Sequence, residues 1–154
     1  MKILVQHEAF DLGAEVDAMR RGRTDIGAIA SFVGLARDMN VGSDVAAMTL
    51  EHYPGMTEKA LAALVDAACS RWTLLDVTVI HRVGRLLPGD PIVLVVVASS
   101  HRGEAFAACE FIMDYLKTRA PFWKKEETPA GARWVEARDS DDEAAARWQA
   151  PEKI

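Results

Sequence analysis

The run "PIVLVVVASS", residues 91–100, restricts the fold more than any other stretch of this chain. A half-buried strand alternates apolar and polar residues. This one is apolar at consecutive positions, so it reads as a central strand covered on both faces, or covered on one face by a partner chain. It is far too short to cross a bilayer. The turn "LPGDP" precedes it, and before that "DVTVIHRVGRL" alternates, so the two strands read as an antiparallel hairpin.

Helical periodicity supplies the cover. "PGMTEKALAALVDAACSRW" places Leu61, Leu64, Val65, Ala68 and Trp72 on one stripe, with Thr57 as the expected N-cap. From about Gly103 to Arg119 a long helix buries Ala105, Cys109, Ile112 and Leu116. It presents Glu110, Asp114, Lys117 and Thr118 on its opposite side. Ala120 precedes Pro121 and is pushed out of the α region, so this helix stops there. "MKILVQ", "DIGAIASFVGLAR", "VAAMTLEHY" and "ARWVEAR" read as strands. "DLGAEVDAMRRG", capped by Asp11, and "DDEAAARW" read as helices. Gly27 and Gly34 interrupt the second strand, where glycine marks a bulge or a close backbone approach. The order β-α-β-β-α-β-β-α-β-α, with no linker or repeat, predicts one α+β domain over residues 1–154, a mostly antiparallel sheet packed with helices.

Charge narrows the function. The net charge of −5 argues against a general nucleic-acid binder. The charge is uneven: from Arg102 to Arg138 seven Lys/Arg face six Asp/Glu, so an anion site belongs in that segment. Cys69 and Cys109 lie singly among apolar residues, which reads as two free buried thiols in a reducing compartment and gives no metal site. The apolar start "MKILVQHEAF" is cut short by Gln6, His7 and Glu8, so no signal peptide is expected. The expected protein is soluble and cytoplasmic, without membrane contact.

His101-Arg102 falls where the central strand gives way to the long helix. Exposed backbone N–H groups and the helix dipole favour an anion there, and an arginine can grip phosphate or carboxylate with two parallel bonds. The alternative is that Ser99 or Ser100 caps the helix and the pair is merely exposed. His81-Arg82 repeats the dipeptide inside an alternating strand, where a structural role is expected. Arg37 ends a strand before a polar loop, and a surface role is its default. Lys117 lies in the last turn of its helix, where the dipole alone would account for it. "APFWKKE", too short for a helix, admits two readings. Phe122 and Trp123 could stack on a flat heterocycle or on single-stranded bases, or they could anchor the core while Lys124 and Lys125 extend to solvent.

In combination, "FVGLAR", "LEHYPGMTEKAL", "VTVIHRVGRLLPGD", "SSHRGEAF" and "DYLKTRAPFWKKE…RWVEAR" resemble the large, catalytic subunit of molybdopterin synthase, the MoaE family. The similarity runs in order from about Ile26 to Trp148. The resemblance implies an α/β hammerhead-type fold and a homodimer at the core of a heterotetramer. It implies a small ubiquitin-like partner subunit whose C-terminal Gly-Gly tail carries a thiocarboxylate. The implied reaction is sulfur transfer to cyclic pyranopterin monophosphate (precursor Z), making the dithiolene of molybdopterin, with no metal or redox cofactor.

Carried over by position, the resemblance implies Arg37, His101 and Arg102 as substrate ligands and Lys117 and Lys124 as catalytic residues. Lys125 and Glu126 stand beside them, and Arg138 would reach a neighbouring subunit's pocket. Leu35 replaces a longer polar residue of many relatives, so Leu35 and Ala36 are expected to contact substrate through backbone only. The rival functions are a dimeric module that binds a phosphorylated heterocycle without turnover, and a single-stranded nucleic-acid binder, which the acidic balance disfavours.

Overall fold

The computed structural model describes residues 1–40, 43–135 and 139–149. Its strands are β1 (Lys2–Gln6), β2 (Ala28–Leu35), β3 (Met39–Asn40), β4 (Ser43–Asp44), β5 (Ala47–His52), β6 (Asp76–Arg82), β7 (Gly84–Leu86), β8 (Pro91–Ser99), β9 (Phe122–Thr128) and β10 (Gly131–Val135). Its helices are α1 (Leu12–Arg20), α2 (Met56–Arg71), α3 (Arg102–Arg119) and α4 (Asp139–Ala146), followed by a single 3₁₀ turn, Arg147–Gln149. Two four-stranded sheets, in the orders β1-β6-β8-β2 and β10-β9-β5-β7, carry the architecture, and β3 and β4 form a two-residue ribbon. Among the described residues every pairing is antiparallel except β1 with β6, so the fold is α+β.

β8 lies between β6 and β2 and is buried from Val93 to Ser99. Val93, Val95 and Val97 pack with Leu61, Val65 and Ile112 of α2 and α3. Leu94, Val96 and Ala98 point the other way, into a second cluster with Met19 of α1. The doubly apolar run is therefore covered on both faces by the chain's own helices, and no partner chain is needed to cover it. Each buried Val or Leu contributes about 1.5–3 kcal/mol, so the run from Val93 to Ala98 is a large contributor to the core.

The glycines do what the strand pattern suggested. A Cβ on Gly27 would lie 2.0 Å from the Ser100 carbonyl oxygen, a close backbone approach. The β2–β8 register shifts between Gly34 and Leu35, a bulge near the end of β2 after which Leu35 pairs with Pro91. β6 and β8 do pair as a hairpin, but the segment between them crosses to the other sheet, where β7 pairs with β5.

Two caps differ from expectation. The N-cap of α2 is Gly55, at φ +85°, and its N–H donates to Glu58 Oε2 at 2.6 Å. Thr57 is instead inside the first turn, fully buried. Its Oγ1 accepts from the Tyr53 N–H and donates to the Pro121 carbonyl, both at 3.0 Å. Ser99 does not cap α3. Its hydroxyl lies 3.0 Å from both the Thr73 carbonyl and a Glu104 carboxylate oxygen, and His101 occupies the N-cap position without a side-chain bond. α3 stops at Ala120, in extended conformation, as the following proline requires.

Thr57 thus ties α2 to the segment that leaves α3 and becomes β9. Thr57→Val keeps the shape but leaves the Tyr53 N–H and the Pro121 carbonyl without this partner. Burying such groups unpaired costs roughly 1–3 kcal/mol, so urea unfolding should show a loss of about 2 kcal/mol with an unchanged m-value.

Candidate active site

A cleft of about 320 Å³ opens where the ends of the two sheets meet the C-terminus of α3. Its apolar wall comes from Phe32, Met48, Leu50, Val93, Leu116 and Phe122. Its charged lining is Arg37, Lys117, Lys124, Glu126 and Asp141. Leu35 and Ala36 complete one side. Ala36 is held by its backbone, its N–H donating to the Asp90 carbonyl at 2.9 Å and its carbonyl accepting from Gly89 N at 2.7 Å. That pairing sets Arg37 at the rim.

The segment "FWKKEE" belongs to β9, a strand that no sequence pattern marks. Strand periodicity sorts its residues. Phe122, Lys124 and Glu126 share one face, and all three line the cleft. Trp123, Lys125 and Glu127 share the other. There Lys125 Nζ sits 5.7 Å from the Trp134 ring centroid, Glu127 pairs with Arg85 at 3.1 Å, and Trp123 is 48% exposed. Phe122 and Trp123 therefore point in opposite directions and form no joint stacking platform. Phe122 is an anchor, as one of the two sequence readings had it, while Lys124 faces the cleft rather than open solvent. Glu126 is 2% exposed and has Arg133 at 3.7 Å.

Lys117 reaches the cleft from the last turn of α3. His101 and Arg102 do not. They are exposed at the other end of the same helix, and fifteen residues at 1.5 Å each put Arg102 about 22 Å from Lys117. Lys125 lies on the outer face of β9, away from the cleft. Arg138 falls outside the described residues. The cleft thus gathers Leu35, Ala36, Arg37, Lys117, Lys124 and Glu126. Among the described residues no group of three or more His, Cys, Asp or Glu is placed to hold a metal, and no helix is long and apolar enough to cross a membrane.

One lining residue was read from sequence as structural. His81 continues the inward face of β6 after Val77 and Val79 and ends in the cleft wall. It is 5% exposed, its ring stacks on Phe122 with centroids 3.8 Å apart, and its Nδ1 lies 2.8 Å from the Arg82 carbonyl oxygen. Burial pushes its pKa down to about 4, against the backbone bond that favours the charged form, and Lys117 and His52 push it further down. The signal was present in the alternation of "VTVIH", whose inward positions are 77, 79 and 81. Arg82 does have a structural part, donating to the carbonyls of His7 and Pro91 at 3.0 Å.

The chemistry on offer is electrostatic. Two lysines and an arginine converge on a pocket with low-dielectric walls, where each donor is worth more than in water. Such a lining favours an anionic ligand that also carries apolar surface.

Several known proteins are similar to this chain. A family model described as "MoaE protein" matches residues 5–119. A protein of Ralstonia nicotianae described as a molybdopterin synthase catalytic subunit is 69% identical over 146 residues, covering 95% of this chain and 83% of that protein. A solved structure of a molybdopterin biosynthesis MoaE protein from Burkholderia ambifaria matches with a TM-score of 0.83 at 59% identity, covering 97% of this chain and 99% of that one. A complex of subunits 1 and 2 of a molybdopterin-converting factor from Helicobacter pylori matches with a TM-score of 0.72 at 19% identity over 88% of this chain and 91% of that one, a likeness of fold.

The depressed pKa of His81 makes a stability statement. Between pH 6.5 and about 4 the unfolded chain binds the proton and the folded one does not, so stability is full above that window and falls through it as the pH drops. The shift corresponds to about 3 kcal/mol. His81→Phe keeps a ring for the Phe122 stack but cannot titrate. Denaturant unfolding from pH 7 to pH 4 should therefore give a flatter profile for the variant than for the parent. Parallel profiles would show that His81 titrates normally.

Proposed function

The chain belongs to the MoaE protein family, and we propose that it is the catalytic subunit of a molybdopterin synthase. It acts as a single-domain enzyme in the cytoplasm. Its substrate is precursor Z, a flat heterocycle carrying a phosphate. The sulfur comes from the thiocarboxylate at the Gly-Gly end of a small ubiquitin-like subunit. The observation that carries this reading is the cleft itself, in which Arg37, Lys117 and Lys124 converge beside an apolar, aromatic wall. Both reactants are anions, and a site that holds them together must offset their mutual repulsion.

The roles follow from position. Arg37, a planar fork at the rim, suits the phosphate. Lys117 and Lys124 reach the cleft from two different elements, α3 and β9, and flank the place where tail and heterocycle meet. Their charges stabilise the negative charge that develops as the thiocarboxylate sulfur bonds to a side-chain carbon of the substrate and displaces its oxygen as water; a water then hydrolyses the acyl–sulfur bond, leaving the sulfur on the substrate and the tail as a carboxylate. The apolar wall stacks the heterocycle and excludes water from the attacking sulfur.

His101 and Arg102 serve the cleft of a second copy. The length of α3 separates them from their own Lys117, so they reach a substrate only across an interface between two chains. The working unit is then a homodimer with a small subunit on each protomer. Arg138 joins the same cross-subunit set, as the family resemblance implies.

The test is turnover with thiocarboxylated small subunit and precursor Z, assayed as dithiolene product. The parent protein should form product, and Lys117→Ala and Arg102→Ala should each lose about 10²–10³ in rate. Lys117 is exposed, so its variant should keep its stability within about 0.5 kcal/mol. Refolding the two inactive variants together should restore about a quarter of the parental rate, since half the dimers then hold one intact site of two. An active Arg102→Ala would place Arg102 outside the site, two inactive variants without recovery in the mixture would contradict its action across an interface, and no product from the parent would overturn the function.

A further inference from the structure

We propose that His81 is a ligand-binding residue of the cleft, its Nε2 accepting a hydrogen bond from an N–H of the heterocyclic substrate. This rests on the substrate reading above and adds a contact that none of the cations can make.

The geometry fixes the ring. Stacking on Phe122, at 18° between planes, holds its tilt, and the 2.8 Å bond to the Arg82 carbonyl holds its rotation about the Cβ–Cγ axis. A carbonyl only accepts, so Nδ1 carries the hydrogen. Nε2 then carries a bare lone pair, to which no hydrogen bond is made among the described residues; since no buried side-chain N or O there lacks a partner, Nε2 is open to the cleft that His81 lines. The side chain is nine-tenths buried and still lines the cleft, so that lone pair is what the residue offers to a ligand.

The rest of the lining needs such a group. Arg37, Lys117 and Lys124 are donors only; they hold anions but leave the N–H groups of a heterocycle unmet. Glu126 and Asp141 accept, but they are carboxylates, and each adds negative charge to a site built for anions. A neutral imidazole accepts without repelling phosphate or thiocarboxylate. Burial above all, and then its neighbours on the other elements, Lys117 of α3 and His52 of β5, disfavour its protonation, so it stays an acceptor throughout the physiological range. An N–H buried against Val93, Leu116 and Phe122 without an acceptor would weaken binding instead.

The test is calorimetric titration of parent, His81→Phe and His81→Gln with precursor Z and, separately, with the small subunit. Phenylalanine removes the acceptor, and glutamine returns an amide oxygen near the place of Nε2. His81→Phe should lose roughly tenfold or more in affinity for precursor Z. His81→Gln should recover most of that loss, and all three should bind the small subunit alike. If the parent binds precursor Z and His81→Phe binds it equally well, His81 is not a ligand and the function stands. If the parent does not bind precursor Z, the substrate reading itself fails. Should His81→Phe not fold, 15N-histidine spectra of the parent decide: the His81 Nε2 resonance must move on saturation with precursor Z, and a stationary resonance overturns the proposal.

Discussion

A strand buried on both faces cannot slip by one residue without driving every side chain into the wrong layer, and β8 is such a strand. Val93, Val95 and Val97 demand α2 and α3 on one side, and Leu94, Val96 and Ala98 demand α1 on the other. With β8 fixed, β6 and β2 are fixed beside it, and so are the ends at which the cleft forms. His81 pairs with Val93 in the β6–β8 register, and Gly34 pairs with the same valine from β2. The floor of the cleft is thus the place where the three strands run out. α3, laid along β8, delivers Lys117 to that end and leaves Arg102 at the other.

The second determinant is β9. Pro121 ends α3, and Thr57 of α2 accepts the task of holding the chain as it leaves, through the Pro121 carbonyl. From there the period of two sends Phe122, Lys124 and Glu126 inward and Trp123, Lys125 and Glu127 outward. Of two adjacent lysines with the same chemistry, one is therefore a site residue and the other a surface cation beside Trp134. The proposed function needs that division, because a cation in the cleft acts beside its apolar wall, whereas Lys125 acts through solvent.

Much of this was legible in the sequence. The apolar run at 91–100, the helical stripes of α2 and α3 and the stop at Ala120 each followed from a local rule, and each stands where that rule puts it. β9 was not legible, because its inward face is lined by a polar site: Phe, Lys and Glu alternating with Trp, Lys and Glu carry no hydrophobic period. His81 was read as structural because alternation tells which face a residue takes but not where that face ends. The separation of Lys117 from Arg102 was hidden for a simpler reason. Sequence spacing and helix length together give the distance, but only the position of the cleft shows which end of α3 it belongs to.

The sorting of the β9 lysines is the claim on which the site depends, and one comparison measures it directly: the affinity for precursor Z of Lys124→Ala against that of Lys125→Ala. Lys124→Ala should show a clear loss, about tenfold or more for a charge-assisted bond, and Lys125→Ala no change. Equal losses in the two variants, or a loss confined to Lys125→Ala, would contradict it.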